Sequence, residues 1–126
     1  MSGTTLNTRP TLLHSFGTIT GTTIGIINAF GSTAFAGQPA VPAANQKWGI
    51  YRALITLSAA ATLTIQDTVP TTLSQAFQLP ANGSLALDVS NNGDPWWQGS
   101  QNGLGLQLLL GTSVTCGFDV WWLPTV

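Results

Sequence analysis

The chain has 126 residues, of which only 6% are charged, three basic and four acidic, for a formal net charge of −1. Soluble domains usually carry roughly 25% charged residues, whereas the 44% hydrophobic content is ordinary for a globular fold. The totals predict one domain with a real core, and they exclude extensive disorder and a phosphate-neutralising nucleic-acid surface.

The charged residues are Arg9, Lys47, Arg52, Asp67, Asp88, Asp94 and Asp119, and there is no glutamate. A surface built mainly from Thr, Ser, Asn, Gln, Gly, Ala and apolar groups is poorly protected against association. One reading is a Thr/Asn-rich secreted β protein. The other is that much of the surface is interface in an assembly. No apolar run reaches the 18 or more residues of a membrane-spanning helix. The start, "MSGTTLNTRPTLLHS", lacks the basic and continuously apolar segments of a signal peptide, so none is expected. The single Cys116 leaves no internal disulfide to form, and it falls on an apolar strand face as a small buried hydrophobe.

Alternation with a period of two runs through most of the chain, and no helical periodicity competes with it. Residues 1–21 are polar, Thr-rich and interrupted by Pro10, which predicts an N-terminal arm with one short strand. "TTIGIINAF" (22–30) predicts a strand with Ile24, Ile26 and Phe30 on one face. "AGQPAVPAANQK", with Pro39 and Pro42, is a loop. "WGIYRALITLS" (48–58) is the longest predicted strand, with Tyr51, Ala53, Ile55 and Leu57 on one side and Ile50, Arg52, Leu54 and Thr56 on the other.

"TLTIQDT" (62–68) buries Leu63 and Ile65. "LSQAFQL" and "SLALDVS" follow, with Phe77 and Leu79, then Leu85, Leu87 and Val89, on apolar faces. After the loop "NNGDPWWQGSQNG", the strand "LGLQLLL" presents Leu104, Leu106, Leu108 and Leu110. "GTS" predicts a turn into the final strand, "VTCGFDVWWLPTV". There Val114, Cys116, Phe118, Val120 and Trp122 line one face, and Thr115, Gly117, Asp119 and Trp121 line the other. Asn82-Gly83 and Asn102-Gly103 suit tight connections that need positive φ. About eight strands at this spacing predict an all-β fold, an antiparallel β-sandwich of jelly-roll type over residues 22–126.

The inventory for catalysis is thin. His14 is the only histidine and lies in the expected arm, with no nucleophile-elbow motif to accompany it. One histidine, one cysteine and four scattered aspartates offer no metal-ligand spacing, so neither cofactor nor metal is expected. Asp119 is the odd carboxylate, flanked by apolar residues on an outward strand face. "NGS" at Asn82 is a formal glycosylation acceptor and a weak signal.

The paired tryptophans of "DPWWQG" and "VWWLP" are the remaining feature. One member of each pair suits a core and the other a subunit interface, where Trp is enriched. Exposed rings with Gln98, Gln101 and Asn102 nearby also suit sugar stacking. Trp121, Trp96, Trp97, Leu109, Ile50 and Leu54 are the interface candidates.

The stretch from Trp48 to Leu123, with "LITLSAAATLTIQD", "LSQAFQLPANGSLALD", a tryptophan loop, "GLGLQL" and "VTCGFDVWW", resembles small phage virion proteins. These are β-sandwich decoration (cement) proteins and head- or tail-fibre modules. The resemblance implies a homotrimer on the virion that contacts the major capsid protein or another virion protein, with no catalytic residues. The alternative is a carbohydrate- or receptor-binding module of a fibre or tail tip. Neither nucleic acid nor membrane is an expected partner.

Overall fold

The computed structural model describes residues 11–41, 43–90 and 92–125. The first ten residues of the expected arm and Pro42 of the expected loop lie outside the described residues. Seven strands form one antiparallel sheet: β1 (Leu13–Ile27), β2 (Lys47–Leu57), β3 (Ala61–Asp67), β4 (Phe77–Leu79), β5 (Ser84–Leu87), β6 (Trp97–Gln98) and β7 (Leu106–Thr125). The sheet wraps into a nearly closed, barrel-like shape.

β7 is the spine of this sheet. One of its edges pairs with β1 from Leu13↔Trp122 to Ile27↔Leu106. The other edge takes β2 and then β3. The register Leu57↔Cys116 resumes as Leu63↔Leu110, so β2 and β3 act as one long strand bent at residues 58–60. Ser58 holds that bend by donating its N–H to the Thr115 carbonyl at 2.9 Å and accepting the Thr115 N–H on its hydroxyl at 3.1 Å. β4 extends the sheet beyond β3, while β5 and β6 extend it beyond β2.

Three expectations change here. "GTS" does not turn the chain, because Gly111–Ser113 lie within β7. Gly111 is not among the positive-φ residues, and a two-residue hairpin requires that conformation. Both halves of β7 instead find partners on both edges. The pairing with β1 jumps from Gly21↔Val114 to Thr23↔Leu109 across this point, so β7 carries the extra residues as a bulge and bends. The two predicted C-terminal strands are thus one, and the count among the described residues is seven rather than about eight.

The expected arm is the second correction. Residues 13–21 form the first half of β1, in uninterrupted register with residues 114–122. Thr and Ile at alternating positions favour strand, and the apolar β7 needs a neighbour on that edge. A boundary at residue 21 therefore falls inside a strand. The third correction concerns side-chain phase. Phe30 lies beyond β1 and is exposed, while Ile27 is buried beside Ile24 and Ile26. Ile50 is also buried, at 2% exposure, because a register shift between Ile50 and Arg52 reverses the alternation. Val89, beyond β5, is exposed, and Leu85 and Leu87 are half-buried.

The core face of β7 is as its pattern predicts: Val114, Cys116, Phe118, Val120 and Trp122 are all buried. Burial pushes the Cys116 thiol up to about 11, so it stays protonated and unreactive at neutral pH. Trp48 and Trp122 are the largest buried side chains. Their indole N–H groups donate to the Gly105 carbonyl at 2.8 Å and to Ser15 Oγ at 2.9 Å. Both rings thereby enter the core without an unpaired polar atom.

Asp67 is fully buried at the end of β3. Oδ1 accepts the N–H groups of Val69 at 3.1 Å and Thr71 at 2.8 Å. Oδ2 accepts the Ser100 N–H at 3.2 Å and the Ser100 hydroxyl. Burial opposes ionisation, but these hydrogen bonds, led by the Ser100 hydroxyl, outweigh it and hold the carboxyl below its ordinary 3.8. The carboxylate thus ties the loop after β3 to the segment leading into β7.

Two stability predictions follow from these contacts. Trp122→Ala is expected to destabilise the fold by about 3–5 kcal/mol in denaturant titration, as for a large aromatic removed from a core. Asp67→Asn is expected to cost about 1–3 kcal/mol, since buried N–H donors lose a charged acceptor. Because the folded pKa of Asp67 is the lower one, its contribution is complete above the unfolded value and is lost as pH falls through the folded value. A stability difference between wild type and Asp67→Asn that narrows as pH falls below 3.8 checks the sign.

Candidate functional site

The outward face of β1, β7 and β2 brings together residues far apart in the chain. Antiparallel register sets them in rows: His14–Trp121–Arg52, then Phe16–Asp119–Leu54, then Thr18–Gly117–Thr56. Each row takes one residue from each strand, because alternate side chains of paired strands share a face.

Trp121 is clamped in the first row. From the β1 side the His14 ring stacks on it, with centroids 4.5 Å apart and planes 3° from parallel. From the β2 side the Arg52 guanidinium carbon lies 4.9 Å from the ring centroid. His14 Nε2 donates to Asp119 Oδ1 at 2.8 Å, which fixes the imidazole against the indole. Phe16 completes the cluster, its ring centroid 5.1 Å from that of His14. Arg52 also faces Asp88 at 3.7 Å, but both side chains are largely exposed and the pair adds little stability. The tryptophan that sequence alone leaves uncovered is therefore covered on both ring faces by its own chain.

The exposed apolar groups surround this clamp. Phe16 (66% exposed) and Leu54 (43%) project from the face. Two shallow hollows of about 280 Å³ each flank Leu54, which lines both. One lies between Phe16, Thr18, Thr56 and Asp119, over Gly117. A Cβ at Gly117 would come 3.1 Å from Thr56 Oγ1, so the missing side chain makes the floor of that hollow. The other lies between Arg52, Trp121, Ala86 and Asp88. The relief is a ridge with a hollow on each side.

The remaining sequence candidates sit elsewhere. Trp97 lies in β6, packs against the core and meets Phe77 edge-on with centroids 6.0 Å apart. Trp96 is 43% exposed, and its Nε1 donates to the Asp88 carbonyl at 2.6 Å. Its backbone N–H donates to the Ile50 carbonyl at 2.7 Å, so "DPWWQG" is a strap across the start of β2. Leu109 is exposed on the other half of β7, and Ile50 belongs to the core. Of the six candidates, only Trp121 and Leu54 share the site. Sequence reasoning omits His14, Phe16 and Gly117. The alternation of His14, Phe16 and Thr18 was available as a signal, but the polar composition of that segment predicts an arm instead.

Among the described residues, no group of three His, Cys, Asp or Glu side chains converges as a metal site. The face combines apolar relief with the His14–Asp119 pair and Arg52.

Trp121→Ala is expected to leave the fold intact and to cost about 1–2 kcal/mol, the sum of one stacking and one exposed cation–π contact. Denaturant midpoints compared with Trp122→Ala check this, and an equal loss in both variants would show that the two rings do not occupy different environments. Comparison with protein-family models, with curated proteins and with solved structures finds no match for this chain.

Proposed function

We propose that the protein is a structural component of a phage virion, a decoration or cement module that docks through the outer face of β1, β7 and β2. The observation that carries this reading is the exposed pair Phe16 and Leu54 beside the Trp121 clamp, on a chain with only seven charged residues. Protein interfaces favour such an arrangement, with an aromatic anchor held rigid and apolar knobs and hollows around it. The fixed rings lose little conformational freedom on docking.

The partner in this reading is the major capsid protein or another virion protein. The bend of β1, β2–β3 and β7 through a shared corner supports the jelly-roll-like sandwich that the sequence likeness implies. Self-association belongs to the same reading, and the likeness implies three copies.

A second reading rests on Trp96. Its ring is exposed while its N–H is tied down, which would present a fixed aromatic face to a sugar. Neither reading includes catalysis.

The test is a heat challenge of particles assembled with and without the protein, together with a glycan array. Saturable binding at a fixed number of copies, a gain in heat resistance and little weakening by salt are expected, because the face is mainly apolar. Phe16→Ala and Leu54→Ala are each expected to reduce occupancy by about tenfold or more, the order for a central interface residue. Saccharide binding that Trp96→Ala abolishes, with no change in particle stability, would replace the first reading by the second.

A further inference from the structure

We infer that two copies of this chain join through the free edge of β1, the strands running antiparallel about a twofold axis. This rests on the self-association part of the reading above, identifies the edge that carries it, and sets the number of copies at two in place of the three that the likeness implies. β1 pairs only with β7 among the described strands. No backbone hydrogen bond from a turn or loop among the described residues reaches residues 13–23. An edge of this length is a template for another strand.

Two further observations identify the occupant. The inward-pointing Gly17, Ile19 and Gly21 are only half-buried, although their neighbours across the register, Phe118, Cys116 and Val114, are fully buried. The sheet ends at β1 beside them, so a strand added in its plane would cover them further.

The choice of a second copy follows from charge. Between Arg9 and Lys47 the chain contains no Asp, Glu, Lys or Arg. An antiparallel pair of identical strands places residues from opposite ends of the segment across from each other. A charged segment would risk opposing like charges there, and this one opposes none. The usual protections of an edge, a lysine or a proline, are also missing from Leu13–Ile27. Twofold pairing consumes the edge on both copies and closes, giving a dimer rather than a fibre. It also extends the outer face across the seam, so that Phe16 of each copy lies on one wider surface.

The experiment uses the isolated full chain, with no particle present, so failure of docking and failure of this pairing are separate results. Native mass spectrometry should give a dimer that dissociates on dilution. Amide exchange then reports the contact. In an edge strand, successive N–H groups point alternately to the neighbour and to solvent. On dilution, every second amide of residues 14–21 should exchange fast. In the dimer those same amides should slow by at least about 100-fold, as an edge ladder becomes an internal one.

Proline at position 18 or 19 provides the second arm. Of Thr18→Pro and Ile19→Pro, the one whose N–H faces β7 should unfold the protein, and the other should give a folded monomer. The wild-type exchange pattern decides the matter even if neither variant folds. A monomer at every concentration, a trimer, or a dimer in which alternate β1 amides still exchange fast would each overturn the pairing.

Discussion

Everything in this fold depends on β7 being paired along both edges. Its twenty residues meet β1 on one side and the bent β2–β3 strand on the other. A central strand can bury one face only when neighbours on both sides supply walls, and β7 buries Leu106, Leu108, Leu110, Val114, Cys116, Phe118, Val120 and Trp122 in this way. The corner at Gly111–Ser113 lets the buried face wrap around the core instead of lying flat. Twist and a local bulge close such a sheet without a hairpin.

The same pairing sets the outer surface. Once β7 alternates with Trp122 inward, Trp121 must point outward, and the register then places His14 and Arg52 beside it. The clamp is a consequence of strand order, and it needs no ligand or neighbour to cover the ring. What stays exposed is next to it: Phe16 and Leu54 beside Asp119, and the hollow over Gly117. A chain with so few charges relies on hydroxyls, amides and backbone pairing to satisfy its polar groups. Asp67 shows the arrangement at its most demanding, a buried carboxylate held ionised by donors from its own loop and from Ser100.

Docking through the face and pairing through the edge make different demands on the strands. The face uses side chains from three strands, so any one substitution weakens only part of it. The edge of β1 uses main-chain groups, which substitutions alter little unless they remove an N–H. A strand that is Thr-rich, uncharged and interrupted only by glycine supplies main-chain groups with little side-chain obstruction. That composition suits residues 13–21 to pairing and also disguises them as a flexible arm.

The amino-acid pattern by itself determined the class of fold and the inside and outside of most strands. Period-two alternation reports which side chains share a face, so the burial of Trp122, Leu63, Ile65 and Cys116 was legible from single segments. Local turn chemistry was legible at Asn82 and Gly103, which adopt positive φ of 59° and 79°. The tertiary structure decided the rest. Whether Gly111–Ser113 turns or continues depends on what lies along both edges of β7, and no local signal contains that. The phase of Ile50 depends on a bulge that exists only relative to the opposing strand. The site was the least legible part, because His14, Arg52 and Trp121 are brought together by register between strands distant in sequence. Alternation tells a residue its face, whereas its neighbours on that face are set by which strands pair and at what offset.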